Sequence, residues 1–135
     1  MKTLSLLFLI SISICSYSCS LGFNRNEKIV GKYHIIAMDS YAETCLAYKV
    51  GHVDYVGLVS AEVLAYCKNN HHIFVKQNPY GKRDDSPVNY YIVPIVNDTI
   101  TVYPEERIIG PLKERAFNRE ISKLKVRDLE FKEVD

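Results

Sequence analysis

The sequence predicts an α+β domain, mainly antiparallel β-sheet with one C-terminal helix packed on it. Three observations predict it. Ten tyrosines and no tryptophan among 135 residues tilt the composition toward strands, where aromatic side chains pack well on a pleated surface. Short apolar runs alternate with polar turns from residue 29 to residue 103. Only after Gly110 does helical spacing appear, and strands followed by a late helix suit a helix laid on a sheet.

Taken in order, Ile29 to Met38 reads as a first strand with Gly31, Tyr33, Ile35 and Ala37 on one face, ended by Asp39-Ser40. Cys45 to Val50 is a second, bounded by Gly51. His52 to Val59 alternates only partly and is interrupted by Gly57, so it reads as a loop or weak strand. Glu62 to Lys68 and His72 to Gln77 are separated by Asn69-Asn70, residues that tolerate positive φ, which predicts a hairpin. Pro79 to Pro87 is polar and Gly/Pro-containing, and reads as an exposed loop. Asn89 to Val96 resumes strand character, with Pro94 pointing to an edge or a bulge. Thr99 to Tyr103 alternates after a turn at Asn97-Asp98.

The helix is predicted to open at Gly110-Pro111, because proline at the first helical position sacrifices no hydrogen bond. Leu112, Ala116, Phe117, Ile121 and Leu124 then form one apolar stripe, with Glu114 in the first turn and Lys123 and Lys125 in the last. Leu129 and Phe131 alternate with charges in a short closing strand.

The amino terminus carries an address. Lys2 supplies a positive start, Leu4 to Ile14 form an apolar run, and Ser16-Tyr17-Ser18 precede Cys19. The run falls short of the roughly 20 residues that hydrocarbon requires and has the proportions of a secretory signal. It resembles the signal of bacterial lipoproteins, in which a diacylglycerol is attached to the cysteine sulfur and cleavage makes that cysteine the first residue. Ser18 is the small residue expected before the cysteine, while Ser16 stands where leucine is usual. Ser16 and Ser18 suit ordinary signal peptidase as well, so plain secretion is the alternative and an uncleaved anchor the third reading.

Cysteine parity favours lipid. Cys15 leaves with the signal; lipid on Cys19 then leaves Cys45 and Cys67 as an even pair. The organisation is therefore a signal over 1–18, a polar tether over 19–28 and a single domain over 29–135. The expected location is the cell envelope, lipid-anchored to a bacterial membrane and facing the periplasm or the surface.

The whole chain has a formal charge of +1, and the signal contains only the charge of Lys2, so the remainder sums to zero. No basic face is visible and nucleic acid is not an expected partner. Charge runs, low-complexity tracts and long repeats are absent from the sequence.

Between Glu62 and about Val126 a chain of short motifs appears: Val63 to Tyr66, Asn69-Asn70, Ile73 to Pro79, Tyr90-Tyr91-Ile92, Gly110-Pro111-Leu112 and Phe117. Their order resembles a group of small uncharacterised bacterial lipoproteins. Two departures stand out: Lys68 to Asn70 occupy a turn where the group usually has tryptophan or aspartate, and residues are inserted around Pro104. The resemblance implies an antiparallel sheet plus helix and transfers no catalytic residue.

Candidate sites follow from chemistry alone. Cys45 and Cys67, with 21 residues between them, would close a loop worth roughly 3 kcal/mol as a disulfide; two buried thiols are the alternative. His71-His72 would face opposite sides of a strand, which argues against joint metal ligation, and neither a metal site nor a cofactor is expected; His34 and His52 are the remaining histidines. Asp84-Asp85 and Glu105-Glu106 read as solvated loop charge beside Lys82-Arg83 and Arg107. Neither a phosphate loop nor a Gly-x-Ser-x-Gly turn is present. Of Tyr80, Tyr90, Tyr91 and Tyr103, strand alternation sends Tyr90 and Tyr91 to opposite faces, so core packing outweighs an aromatic patch.

The functional expectation is a non-enzymatic, membrane-anchored envelope lipoprotein that binds a partner, most simply a protein. The partner-binding loop would be Tyr80, Lys82, Arg83, Asp84 and Asp85. A sharper version is an inhibitor or immunity-type protein acting against a lytic or toxic enzyme. The opposing class, a metal-binding or hydrolytic enzyme, would use the histidines and acids.

Overall fold

A computed structural model of the chain describes residues 25–40, 43–79, 87–97 and 104–134. Nine strands form two antiparallel sheets among these residues, with one α-helix beside them. The first sheet has the order β1 (Arg25–Val30), β2 (Tyr33–Ala37), β3 (Cys45–Lys49), β4 (Tyr55–Val59). The second has the order β8 (Ile109–Leu112), β7 (Asn89–Pro94), β6 (His72–Gln77), β5 (Val63–Lys68), β9 (Lys132–Glu133). The helix α1 (Glu114–Lys123) lies on the second sheet. No helix among the described residues is long and apolar enough to cross a membrane.

Side-chain alternation builds three layers. Tyr33, Ile35, Leu46, Tyr48 and Val59 of the first sheet meet Val63, Tyr66, Ile73, Val75 and Val93 of the second in one buried core. The second sheet turns Cys67, Phe74 and Ile92 the other way, where Phe117 of α1 covers them. Phe117 stacks on Tyr90 at 4.5 Å between ring centroids and meets the edge of Phe74 at 6.3 Å. Tyr91 packs instead into the inter-sheet core, so the two adjacent tyrosines do face opposite sides.

Several boundaries differ from the sequence reading. The run from residue 29 is not one strand but two, folded at Gly31-Lys32, with Val30 opposite Tyr33. Gly31 has φ +54°, and glycine at the first position of a two-residue hairpin loop is what that turn requires. Because β1 begins at Arg25, residues 25–28 are strand rather than the last part of a tether. The weak segment after His52 becomes β4 from Tyr55 onward.

Gly110-Pro111 does not open the helix. It lies in β8, which pairs with Tyr90 and Ile92, and the helix starts three residues after the proline, with Lys113 at the N-cap position. Pro94 sits at the end of an interior strand, beyond the reach of β8, so the ladder loses nothing from its missing N–H. The closing strand is Lys132–Glu133, added to β5. Thr99 to Tyr103 lies outside the described residues.

The helix ends by a defined device. Lys125 has φ +55°, its N–H reaches the carbonyl of Ser122 at 3.1 Å, and the N–H of Val126 reaches Ile121 at 3.2 Å. That paired pattern with a left-handed residue is a Schellman motif, here built without glycine. Ile121 and Val126 both pack against the Phe117 cluster, completing it with the usual apolar contact.

Candidate functional site

Three polar clusters and one groove could carry function, and each is assembled by the sheets rather than by local sequence. The first joins the two sheets. Glu27, projecting from β1, accepts hydrogen bonds from the Tyr66 hydroxyl at 2.7 Å and Lys132 Nζ at 2.6 Å on one oxygen, and from Arg25 at 2.8 Å on the other. Lys132 above all, then Arg25 and Tyr66, hold its carboxyl down at about 2. Burial raises the Tyr66 hydroxyl, and its donation to the carboxylate adds to the rise.

The second cluster closes one end of the sandwich. Gln77 is buried opposite Val63, facing the first sheet. Its Nε2 donates to the Ser60 hydroxyl at 2.8 Å and carbonyl at 3.0 Å, and its Oε1 accepts from Asn89 at 3.4 Å. Lys113 Nζ then donates to Asn89 Oδ1 at 2.7 Å. Residues 60–62 carry the chain from the first sheet to the second, so this relay fastens the crossover to β6, β7 and the start of α1. Immediately before β5, Glu62 is 6% exposed and its Oε2 has no hydrogen-bond partner. Its backbone exchanges both hydrogen bonds with Asn78.

The third cluster lies on the outer face of the first sheet. Asn26 Nδ2 donates to the Tyr55 hydroxyl at 2.9 Å, which turns Asn26 Oδ1 toward His34 Nδ1 at 2.8 Å. The imidazole proton therefore sits on Nδ1. Burial, with Lys49 and Lys28 nearby, lowers the His34 pKa and favours the neutral ring. His34 is thus committed to a hydrogen bond on its own sheet, and His52 lies exposed in the β3–β4 loop.

The groove runs between α1 and the second sheet and has a volume of about 300 Å³. Tyr90, Phe117 and Phe131 make its aromatic wall, while Lys76, Glu114 and Asp128 supply charge of both signs. Lys76 Nζ stands 4.3 Å from the centre of the Phe131 ring. The groove thus combines an apolar aromatic wall with charged groups of both signs at its rim.

Cys45 and Cys67 are both free thiols, so the disulfide reading is corrected. The reason is topological: Leu46 and Tyr66 point into the shared core, which turns Cys45 and Cys67 onto the outward faces of different sheets. Burial raises both thiols, Cys67 to about 11. His71 and His72 form the Asn69 turn, whose carboxamide oxygen accepts both their N–H groups at 2.8 and 2.7 Å. His72 Nδ1 is buried without a partner, and burial lowers its pKa. Glu105 and Glu106 are exposed in a short 3-10 turn, Pro104–Arg107. Among the described residues no three His, Cys, Asp or Glu side chains gather as a metal site.

Cys19, Tyr80, Lys82, Arg83, Asp84, Asp85 and Tyr103 lie outside the described residues. Glu27, Gln77, Asn89 and the Phe131 groove were missed by sequence reasoning. Their partners are too far away in the chain for any spacing to reveal them, Glu27 and Lys132 being 105 positions apart.

No curated protein matches the chain, and no solved structure does. Residues 30–135 match a family described as a protein of unknown function, DUF3997, and that span takes in β2 through β9 with the helix. Matched over most of its length, the chain belongs to the DUF3997 family.

Proposed function

We propose that this protein is an exported lipoprotein, anchored through an acylated Cys19, whose folded domain binds a partner and performs no chemistry. The observation that carries the reading is the order Lys2, Leu4 to Ile14, Ser16-Tyr17-Ser18, Cys19, placed directly before a domain whose first strand begins at Arg25. Two or more acyl chains on one cysteine give stable anchoring without help from protein residues.

A binding role is supported by what the polar side chains do. Glu27, Tyr66, Gln77, Asn89 and His34 are each spent on hydrogen bonds that hold strands or sheets together. The groove beside Phe131 combines an aromatic wall with exposed charge, a surface that suits recognition.

The deciding experiment is metabolic labelling with a fatty-acid analogue in a bacterial host, on the wild type and Cys19→Ser. Label on the wild type alone supports the reading. A wild type that stays unlabelled and leaves the membrane fraction removes it.

A further inference from the structure

We infer that one particular end of the sandwich, marked by Arg25, Met38, Ser60, Gln77, Asn89 and Lys113, faces the lipid surface that holds the anchor. The inference rests on the lipid anchor proposed above. Strand register places these residues together. Arg25 pairs with Ala37, and Ile36 pairs with Cys45. The carbonyl of Thr44 accepts the N–H of Val63 at 2.8 Å. Val63 pairs with Gln77, and Gln77 with Asn89. The other end holds the turns at Gly31-Lys32 and Asn69-Asn70 and the loop from Val50 to Asp54.

The covalent distance sets the orientation. Cys19 and Arg25 are six residues apart, so they can be separated by at most about 20 Å. The strands themselves are roughly 20 Å long. Standing the domain on its far end would lift Arg25 by a full strand length and stretch the connection to its limit, with nothing left for the turns.

A tether of nine residues would leave the domain free to tumble. Because β1 claims residues 25–28, only residues 20–24 remain as connection. Met38, 58% exposed, gives this end an accessible position to label. Asn78 and Pro87, which flank the segment containing Arg83 and Asp84, lie at or beside the same end. A soluble partner therefore meets the opposite end or the flanks, including the Phe131 groove.

The test uses the full lipidated chain in vesicles of phosphatidylethanolamine and phosphatidylglycerol. Cys45→Ala removes the partly accessible thiol, and buried Cys67 stays in place. A fluorophore is attached at Met38→Cys or at Val53→Cys, the latter position being 76% exposed at the far end. Headgroup-labelled nitroxide lipid is the quencher.

Quenching several-fold deeper at position 38 than at 53 is expected. Inserting roughly twenty Gly/Ser residues after residue 24 should erase that difference. Equal or reversed quenching in the unmodified chain overturns the orientation, as does a difference that survives the longer tether. Flotation separates the two failures: if neither the wild type nor Cys19→Ser floats with vesicles, the anchor itself is wrong and the orientation falls with it.

Discussion

The Tyr33 hydroxyl donates to the carbonyl of Pro94 at 2.7 Å and accepts the N–H of Val96 at 3.0 Å, crossing from the first sheet to the end of an interior strand of the second. Tyr33 is 1% exposed, and burial raises its pKa, so the hydroxyl stays protonated and serves both contacts. The exit of the chain from β7 is therefore fixed by a side chain 61 positions earlier. Tyr33→Phe keeps the ring and strands both backbone groups. A loss of about 1–3 kcal/mol is expected in urea melts, with unchanged secondary structure by circular dichroism. Wild-type stability would show that the contact contributes nothing.

Glu27 gives the domain an acid sensitivity with a defined window. Its carboxyl titrates at about 2 when folded, against an ordinary 4.5, so its contribution is fully present above about 4.5 and disappears as pH falls toward 2. Glu27→Gln should cost roughly 1–2 kcal/mol at neutral pH, the partly exposed cluster being screened by water. The gap between wild type and variant should close as pH approaches 2. A gap that does not change with pH would mean the charge is not what matters.

Lys125 occupies a backbone conformation that costs a residue with a Cβ roughly 1–2 kcal/mol. Lys125→Gly relieves it while leaving the Ser122 and Ile121 carbonyls capped, so melting should rise by several degrees.

Gly110 behaves in the opposite way. Its φ is +147°, and a Cβ there would stand 2.5 Å from Cδ1 of Tyr91 and 2.9 Å from the carbonyl of Tyr90. Gly110→Ala should cost about 2 kcal/mol or more, read as a lower urea midpoint.

Phe117 is the helix's anchor on the second sheet, buried among Tyr90, Phe74 and Phe131. Phe117→Ala should cost roughly 3–5 kcal/mol and loosen α1 first, visible as faster amide exchange over Glu114–Lys123.

Legibility followed the range of the forces involved. The hairpin around Asn69 could be read because its turn chemistry lies within four residues, and the carboxamide of Asn69 does make the turn. The α+β class and the stripe of Phe117 and Ile121 were legible for the same reason. Gly110-Pro111 misled because its local preference for a helix start is overridden by pairing with Tyr90 and Ile92, some 20 positions away. Gly31 was hidden inside an unbroken apolar alternation that a two-residue turn leaves intact. The division of the strands into two sheets carries no sequence signature, and it decides that Cys45 and Cys67 never meet. The groove beside Phe131 needs α1, β6 and β7 already in place, so no motif could announce it.

The ladder at Glu27 also says something about when this body can become whole. A chain made and threaded from its amino end presents Glu27 and Arg25 early, yet the second cation on that carboxylate arrives 105 residues later, on the two-residue strand β9. Until the final segment emerges, Glu27 lacks its Lys132 partner and the outer edge of β5 stands unpaired. Such long-range closure belongs to slow assembly. Loss of β9 should therefore weaken the body at two places at once, the junction of β1 with the second sheet and the outer edge of β5.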